Sequence, residues 1–184
     1  YHDVGKLHAP DWFIENQKDG PNPHDALNDP EQSAAVLQAH VDEGLKLAKR
    51  HRLPRPIADF IPEHQGTLKM GFFLHKARQI NPNIEERRFR YHGPPPRSKE
   101  TGILMLADGC EAALRSLPPD TSEAEAKDTV RRIVESRQVD GQLRKSGLSR
   151  SEVELVVQAF VKVWRRMRHR RIPYPIPARP RHSA

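Results

Sequence analysis

The first residues of the chain carry side chains that can bind metal ions. His2 and Asp3 are adjacent, so an imidazole nitrogen and a carboxylate oxygen can both reach one metal centre. Adjacent His and Asp residues also occur by chance on solvated surfaces, so this pair alone is weak support for a site. His40, His64 and Asp108 follow, and this set of nitrogen and oxygen donors suits Mn, Fe, Zn or Mg. The sequence therefore indicates a candidate metal site whose ligands come from distant parts of the chain.

His40 lies in a stretch with a helical pattern. A helix is predicted from near Pro30 or Ser33 to about Arg52, where Leu53-Pro54 stops it. Apolar residues recur at three- and four-residue steps along it, at Ala34, Leu37, Val41, Leu45 and Ala48. Because His40 is at the edge of this apolar stripe, it is either a metal ligand or a core-edge histidine bonded to the backbone.

The next predicted helix covers residues 54–64 and ends at His64. Its residues Ile57, Phe60 and Ile61 are predicted to face the core. The prediction places His64 at a helix end, where a side chain can project into a cleft. It is followed by Gln65 and Gly66, which turn the chain.

Asp108 lies inside a helix predicted over residues 99–117. The buried face of this helix is predicted to contain Ile103, Leu106, Cys110, Ala113, Leu114 and Leu117. The small residues Ala107 and Gly109 flank Asp108 and leave room for a close approach. A carboxylate among apolar residues requires a compensating partner, and a metal ion would provide one.

Two capping boxes predict two more helices after this one. Ser122 with Glu125, and Ser149 with Glu152, have the spacing in which each side chain bonds the other residue's backbone N–H. Apolar residues at helical spacing follow both boxes, and we expect these helices to pack against the core from outside.

Two long loops interrupt the helical pattern, over residues 8–30 and 81–99. Loops of this length in compact domains are usually lids or binding elements. Tyr91 and Lys99 of the second loop are candidates for stacking on a base and holding a phosphate. The three consecutive prolines Pro94, Pro95 and Pro96 stiffen this loop, which is also consistent with a plain spacer.

Length and charge indicate one domain with a basic tail. At 184 residues the chain can bury one sizeable core. We expect a domain over residues 1–164 and a basic, proline-rich, disordered tail over residues 165–184. Eight basic residues and no acid follow Val161, against a net charge of +7, so the domain itself is close to neutral. The tail could contact nucleic acid or acidic lipid, but the near-neutral domain argues against specific nucleic-acid binding.

Other sequence features limit the class of protein. No apolar run approaches the roughly 18 residues that a membrane-spanning helix needs. Because Cys110 is the single cysteine, the chain cannot form an internal disulfide. Its apolar surroundings favour a small buried core residue over a catalytic nucleophile.

Several stretches taken together resemble the intracellular HD domain of the seven-transmembrane HD receptors, within the HD-domain phosphohydrolases. They are Tyr1-His2-Asp3-Val4-Gly5-Lys6, Phe13-Ile14-Glu15-Asn16-Gln17, Asn22-Pro23-His24-Asp25, Glu63-His64-Gln65-Gly66-Thr67, Tyr91-His92-Gly93-Pro94 and Leu106-Ala107-Asp108-Gly109-Cys110-Glu111-Ala112-Ala113. The resemblance implies an all-α HD-domain helical bundle that holds two divalent metal ions, commonly iron or manganese. It also implies hydrolysis of a cyclic dinucleotide, cyclic di-AMP, to the linear dinucleotide, on the cytoplasmic face of a membrane-anchored parent protein.

The same resemblance implies the ligands of each metal. His2, Asp3 and Asp108 match ligands of one metal, and Asp3, His40 and His64 match ligands of the other. Asp3 is then the bridging, catalytic carboxylate. Lys6 would neutralise a phosphate oxygen or assist the leaving 3′ oxygen, since an ammonium acts well as a point charge.

Two departures from the family pattern bear on activity. The chain begins inside the motif, so we expect Tyr1 to be the cut end of a longer protein, without the family's further metal-binding histidine upstream. The family also has a second histidine where this chain has Gln65, whose neutral carbonyl oxygen is a poorer ligand. These departures keep a second hypothesis open, a degenerate, non-catalytic HD domain that binds a nucleotide or a partner and signals.

Overall fold

The computed structural model describes residues 1–17 and 20–168, which form an all-α bundle. Its α-helices are, in chain order, α1 (Pro23–Leu27), α2 (Pro30–Arg50), α3 (Arg55–Ala58), α4 (Phe60–Glu63), α5 (Gly71–Ile80), α6 (Lys99–Arg115), α7 (Glu123–Val139) and α8 (Arg150–Arg168). The only β pairing in the described part of the chain is an isolated bridge between Lys69 and Arg90. The predicted fold class is confirmed.

The long helix α2 has the predicted extent and a well-formed start. The side chain of Asp29 accepts hydrogen bonds from the backbone N–H groups of Glu31 and Gln32, and Pro30 occupies the first turn. Both features are favourable there, because the first N–H groups of a helix lack intrahelical partners. His40 is on the buried face of α2, with 3% of its surface exposed.

The single helix predicted over residues 54–64 is wrong, because the structure has two short helices there, α3 and α4. Pro62 has no N–H for the carbonyl of Ala58, and its ring would clash with that carbonyl in a continuous helix. The break follows Ala58, at Asp59. His64 is nevertheless at a helix end, as predicted, because it caps the C-terminus of α4.

The three helices α6, α7 and α8 enclose the largest core cluster. Their buried residues are Met105, Leu106, Cys110, Leu114, Ala126, Val130, Val134, Leu143, Val153, Val157 and Val161. Both predicted capping boxes are present, at Ser122 with Glu125 and at Ser149 with Glu152. Cys110 is buried, as predicted.

The α2 helix carries two smaller core clusters. One joins it to α5 and the fully buried Phe89, and the other joins it to Ile61 of α4. The helices α4 and α6 are in contact, so the α2 half of the bundle meets the α6–α8 half there. The ligand candidates on α2, α4 and α6 are therefore brought to one place.

The two predicted loops contain short helical turns. The first includes the 3-10 helices Pro10–Trp12 and Ile14–Asn16 as well as α1, and the second includes the 3-10 helix Glu86–Phe89. Both loops are anchored, because Phe13 and Phe89 have 6% and 0% of their surfaces exposed.

The end of the described chain is helical for longer than expected. Helix α8 continues to Arg168, so residues 165–168 belong to this helix rather than to the predicted tail. The rest of the predicted tail lies outside the described residues. Among the described helices, none combines the length and apolarity that crossing a membrane requires.

Candidate metal centre

The turn that carries His2 and Asp3 is pressed against α2. It precedes the 3-10 helix Val4–His8, in which Gly5 is buried. A Cβ atom on Gly5 would lie 1.7 Å from the carbonyl oxygen of His40 and 2.5 Å from the backbone nitrogen of Gly44. Only glycine allows this close approach, so Gly5 sets the distance between Asp3 and His40.

The first group of candidate ligands consists of Asp3, His40 and His64. The Nε2 atoms of His40 and His64 lie 3.3 Å apart, and they are 3.7 Å and 3.4 Å from Oδ1 of Asp3. The two histidines are almost completely buried. The three donor atoms thus point towards one common position.

Backbone carbonyl groups determine which ring nitrogen of His40 and of His64 carries a proton. Nδ1 of His40 lies 2.5 Å from the carbonyl oxygen of Leu37, and Nδ1 of His64 lies 2.6 Å from that of Ile61. A carbonyl oxygen can only accept, so each Nδ1 carries a proton, and Nε2 is the nitrogen of each ring that is left to bind a metal ion. Burial, followed by the nearby His64, lowers the pKa of His40 to about 4, which keeps its ring neutral.

The resulting arrangement fits a metal ion. Oδ1 of Asp3 is buried and has no hydrogen-bond partner in the described structure, and it faces the two imidazole lone pairs. Three electron-pair donors without a proton between them repel one another unless a cation lies among them. A divalent ion with nitrogen and oxygen ligands satisfies all three.

The second group consists of His2, Asp3 and Asp108, whose donor atoms all lie within 4.8 Å of one another. Oδ2 of Asp3 is 3.3 Å from Nε2 of His2, whereas Oδ1 faces the first group. Burial alone would raise the pKa of Asp3, but contacts with His2 and Lys6 hold this pKa well below its usual range. An ionised carboxylate therefore lies between two groups of ligands, as a bridging ligand requires.

Comparison with protein families matches this chain to the HD domain over residues 1–113, which include all five candidate ligands. The chain belongs to the HD-domain family. HD domains bind divalent metal ions, which agrees with the two groups of donor atoms.

Curated relatives of this HD domain include two phosphodiesterases. A protein of Synechocystis sp. is 48% identical over 180 residues, or 95% of this chain and 22% of the relative. The cyclic-di-AMP phosphodiesterase PgpH of Listeria monocytogenes is 36% identical over 175 residues, or 95% of this chain and 24% of the relative. PgpH of Bacillus subtilis has the same identity and coverage. The chain spans about a quarter of the length of these relatives.

Solved structures of the Listeria PgpH HD domain have the same fold. The complex with cyclic di-AMP superimposes with a TM-score of 0.87 at 34% identity, covering 91% of this chain and 77% of that chain. The structure described without the nucleotide gives a TM-score of 0.85 at 33% identity, covering 92% and 78%. The resemblance noted in the sequence is thereby confirmed, and these relationships support a phosphodiesterase of the HD class.

Lys6 is at the rim of the candidate metal centre and contacts the Asp3 carboxylate. Its Nζ lies 2.9 Å from Oδ2 of Asp3, forms an ion pair with Glu15 and is 5.2 Å from the centre of the Phe13 ring. Burial would lower the pKa of Lys6, but Glu15 and Asp3 raise it overall, so the ammonium stays charged. The sequence did not indicate Glu15 as a partner, because nine residues separate it from Lys6.

Gln65 contacts Asp108 rather than the imidazoles. Its Nε2 donates to Oδ2 of Asp108 over 3.4 Å. In this orientation Gln65 presents a donor, so it holds the Asp108 carboxylate and adds no ligand to the group formed with His40 and His64.

The two weaker candidates lie in different environments. Tyr91 is half-buried with its ring 6.0 Å from that of His40, so it forms a wall of the site. Burial raises the pKa of Tyr91, and the charges of Asp108 and Asp3 act in the same direction. Lys99 instead forms an ion pair with Glu152 of α8, and the described structure shows no contact between Lys99 and a candidate ligand.

Glu63 supports the site and was missed by the sequence reasoning. Its carboxylate is buried next to His64 and accepts hydrogen bonds from the backbone N–H of Arg97 (2.8 Å), Nε of Arg97 (2.6 Å) and Oγ1 of Thr101 (2.7 Å). These bonds connect the end of α4 to the start of α6. The available signal was a charged residue between Ile61, which is predicted to face inward, and the candidate ligand His64.

Proposed function

We propose that this HD domain is a metal-dependent phosphodiesterase that hydrolyses a cyclic dinucleotide, cyclic di-AMP, to the linear dinucleotide. It would use two divalent ions, iron or manganese. The observation that carries the proposal is the position of Asp3, whose two carboxylate oxygens face two separate groups of ligands. The relationship to PgpH supports the substrate class, because PgpH proteins are described as cyclic-di-AMP phosphodiesterases.

Each group of candidate ligands would bind one of the two ions. His40 and His64 with Asp3 would hold one ion, while His2 and Asp108 with Asp3 would hold the other. Two bound divalent ions lower the pKa of a water molecule and neutralise charge on a phosphodiester. Asp3 would contribute one carboxylate oxygen to each ion, and the backbone carbonyls of Leu37 and Ile61 orient the imidazoles of His40 and His64.

Lys6 supplies a further positive charge at the open edge of the site. Its ammonium is already positioned by Asp3 and Glu15, so little reorganisation is needed when charge develops on a phosphate oxygen. We assign Lys6 to the neutralisation of that oxygen or of the leaving 3′ oxygen.

The substitution Asp3→Asn tests the proposal. It preserves the size of the side chain and removes the charge that both ligand groups share. We expect loss of cyclic di-AMP turnover by the Mn²⁺-loaded protein and fewer bound metal ions per chain. Asp11→Asn, the same change at an exposed aspartate of the same segment, should leave both quantities unchanged. Full metal-dependent turnover in Asp3→Asn would refute the mechanism.

Gln65 favours one alternative, a degenerate HD domain that binds a nucleotide or a partner without hydrolysing it. Its amide nitrogen bonds Asp108 at the position where the family has an imidazole. The two functions differ in one experiment, in which binding and turnover of cyclic di-AMP are measured on the same metal-analysed sample. Binding without turnover would favour the signalling module.

The location of the parent protein is part of the same proposal. The two PgpH relatives are about four times longer than this chain, and we use them as the model for the parent protein. We assign the domain to the cytoplasmic face of a membrane-anchored parent. Fractionation of cells that express the full-length parent, followed by protease protection of this domain, tests the assignment.

A further inference from the structure

Arg137 of α7 lies against α6 immediately beside a candidate metal ligand. A Cβ atom on Gly109 would be 3.0 Å from Nη2 of Arg137 and 3.3 Å from Cγ2 of Ile133, one turn earlier on α7. Gly109 therefore leaves the space that the guanidinium fills. Asp108 directly precedes Gly109, and its carboxylate is close enough to act electrostatically on the guanidinium.

The guanidinium has no protein partner in the described part of the chain. Its Nε atom is buried without a hydrogen bond, and its side chain forms no ion pair or hydrogen bond with residues 1–17 or 20–168. Burial lowers the pKa of Arg137, and the nearby carboxylates of Asp108 and Asp140 act in the opposite direction. The side chain is partly exposed, so its outer N–H groups can reach a bound molecule, whereas the buried Nε lacks a partner in the described structure.

The nearby acidic groups are already occupied. Asp140 accepts hydrogen bonds from Arg90 at 3.0 Å and from Gln142 at 2.9 Å. Asp108 accepts one from Gln65 and belongs to a candidate metal-ligand group. Cys110 is buried in the core, and no hydrogen bond joins its thiol to Arg137 in the structure described. The protein therefore leaves the guanidinium free to pair with an anionic group of a bound molecule.

We propose that Arg137 binds the phosphate of the cyclic dinucleotide that is not attacked at the metal centre. This inference rests on the proposed function. A cyclic dinucleotide has two phosphodiester groups, and the ions held by the five candidate ligands would neutralise only the reacting one. The second phosphate also loses water on binding and requires a cation of its own. The planar guanidinium, with its paired N–H donors, matches the oxygens of that phosphate.

The experiment compares two substrates in the Mn²⁺-loaded protein. Cyclic di-AMP has the second phosphate, whereas bis(p-nitrophenyl) phosphate has only the reacting one. In Arg137→Gln we expect kcat/KM for cyclic di-AMP to fall about 10- to 100-fold, the usual effect of losing a hydrogen bond to a charged group. Hydrolysis of the one-phosphate substrate and the metal content should stay within about two-fold of wild type.

Two further variants separate binding from folding. Arg137→Lys keeps the charge but not the paired donors, and we expect it to recover part of the loss. Arg132→Gln removes a charge from the exposed side of the same helix, where Arg132 pairs with Asp128, and should behave like wild type. Thermal unfolding of all three variants checks that the fold is intact, and calorimetric titration with cyclic di-AMP gives a readout that needs no turnover.

Each outcome decides the inference. Equal kcat/KM and equal affinity for cyclic di-AMP in wild type and Arg137→Gln would overturn it while leaving the proposed function in place. A parallel fall for both substrates, or loss of metal, would also overturn it, because Arg137 would then act on the metal centre. If wild type neither bound nor hydrolysed cyclic di-AMP, the proposed function would fail and the inference with it.

Discussion

The Nε2 atoms of His40 and His64 face each other at 3.3 Å, while both Nδ1 atoms are directed at backbone carbonyl oxygens. This relationship between two buried histidines determines which nitrogen of each ring is free. Because the carbonyls hold the protons on Nδ1, the two lone pairs and Oδ1 of Asp3 converge without a donor. The three donor atoms are thus already arranged as a bound cation would require.

Metal binding should consequently stabilise the fold. At a free Mn²⁺ concentration of 100 times Kd, binding to the native state alone adds about 2.7 kcal/mol to the free energy of unfolding. For a chain of this size we expect the midpoint of thermal unfolding to rise by roughly 5–10 °C relative to the chelated protein. In His64→Asn, which removes one of the converging lone pairs, most of this rise should disappear.

An exposed histidine provides the control for that measurement. His75 of α5 contacts Gln79 at the surface, and His75→Asn should show the full metal-dependent rise. Identical rises in His64→Asn and wild type would contradict the assignment of His64 as a ligand.

The Gln65→His substitution should strengthen metal binding. It replaces an amide that bonds Asp108 over 3.4 Å with an imidazole, a better ligand for iron. We expect the number of Fe²⁺ ions retained per chain after anaerobic gel filtration to increase. Metal analysis of the two proteins prepared in parallel measures the effect.

The Gln65→Asn variant separates the imidazole from the loss of the amide contact. It keeps an amide but shortens the side chain, so it should weaken the hydrogen bond to Asp108 without adding a metal ligand. An equal gain of metal in both variants would mean that releasing Asp108, rather than adding an imidazole, is responsible.

Much of the fold and the ligand set could be predicted from sequence because the signals are local. Capping boxes and apolar spacing identify the helices that begin after Ser122 and Ser149. The His2-Asp3 pair and the isolated Asp108 of an apolar helix identify candidate ligands by residue type. The structure brings these ligands together, and their role in metal binding stays a prediction that the variants test.

The remaining features depend on contacts between residues far apart in sequence. The position of Arg137 follows from the packing of α7 on Gly109, and the local pattern of α7 alone does not reveal it. Glu63 acquires its role from Arg97 and Thr101, more than thirty residues away. The break between α3 and α4 has a local signal, because Pro62 disfavours a continuous helix, but the apolar spacing of Ile57, Phe60 and Ile61 also fits one uninterrupted helix.

The buried carboxylate of Glu63 should make Thr101 important for stability. Oγ1 of Thr101 donates to Oε2 of Glu63 over 2.7 Å, inside the core. Thr101→Val preserves the shape and removes this donor together with the capping contact from the backbone N–H of Ser98, and a lost hydrogen bond to a charged group alone costs about 1.5–3 kcal/mol. Urea unfolding should show this decrease in the free energy of unfolding.

A second threonine provides the matched comparison. Thr129 of α7 donates to the backbone carbonyl of Glu125 within the same helix, at the surface. Thr129→Val should change the free energy of unfolding by less than about 0.5 kcal/mol. Similar losses in both variants would show that the Glu63 contact contributes nothing specific.

The ion pair between Asp140 and Arg90 should make stability depend on pH in the acid range. Burial would raise the pKa of Asp140, but hydrogen bonds from Arg90 and Gln142 outweigh it and lower this pKa in the folded protein. A carboxyl with a depressed folded pKa contributes stability above its unfolded pKa of about 3.9 and loses it as the pH falls through the folded pKa. At pH 7, Asp140→Asn should therefore be less stable by about 1 kcal/mol, typical of a partly exposed pair.

The pH dependence is measured as the difference in the free energy of unfolding between wild type and Asp140→Asn. Urea unfolding in the presence of a chelator removes the contribution of metal binding. The gap between wild type and Asp140→Asn should be constant from pH 7 to pH 5 and should shrink below about pH 4, as the wild-type carboxyl is protonated. Asp128→Asn, at an exposed pair with Arg132, should show a smaller gap at pH 7. A gap for Asp140→Asn that grew as the pH fell would contradict the depressed pKa.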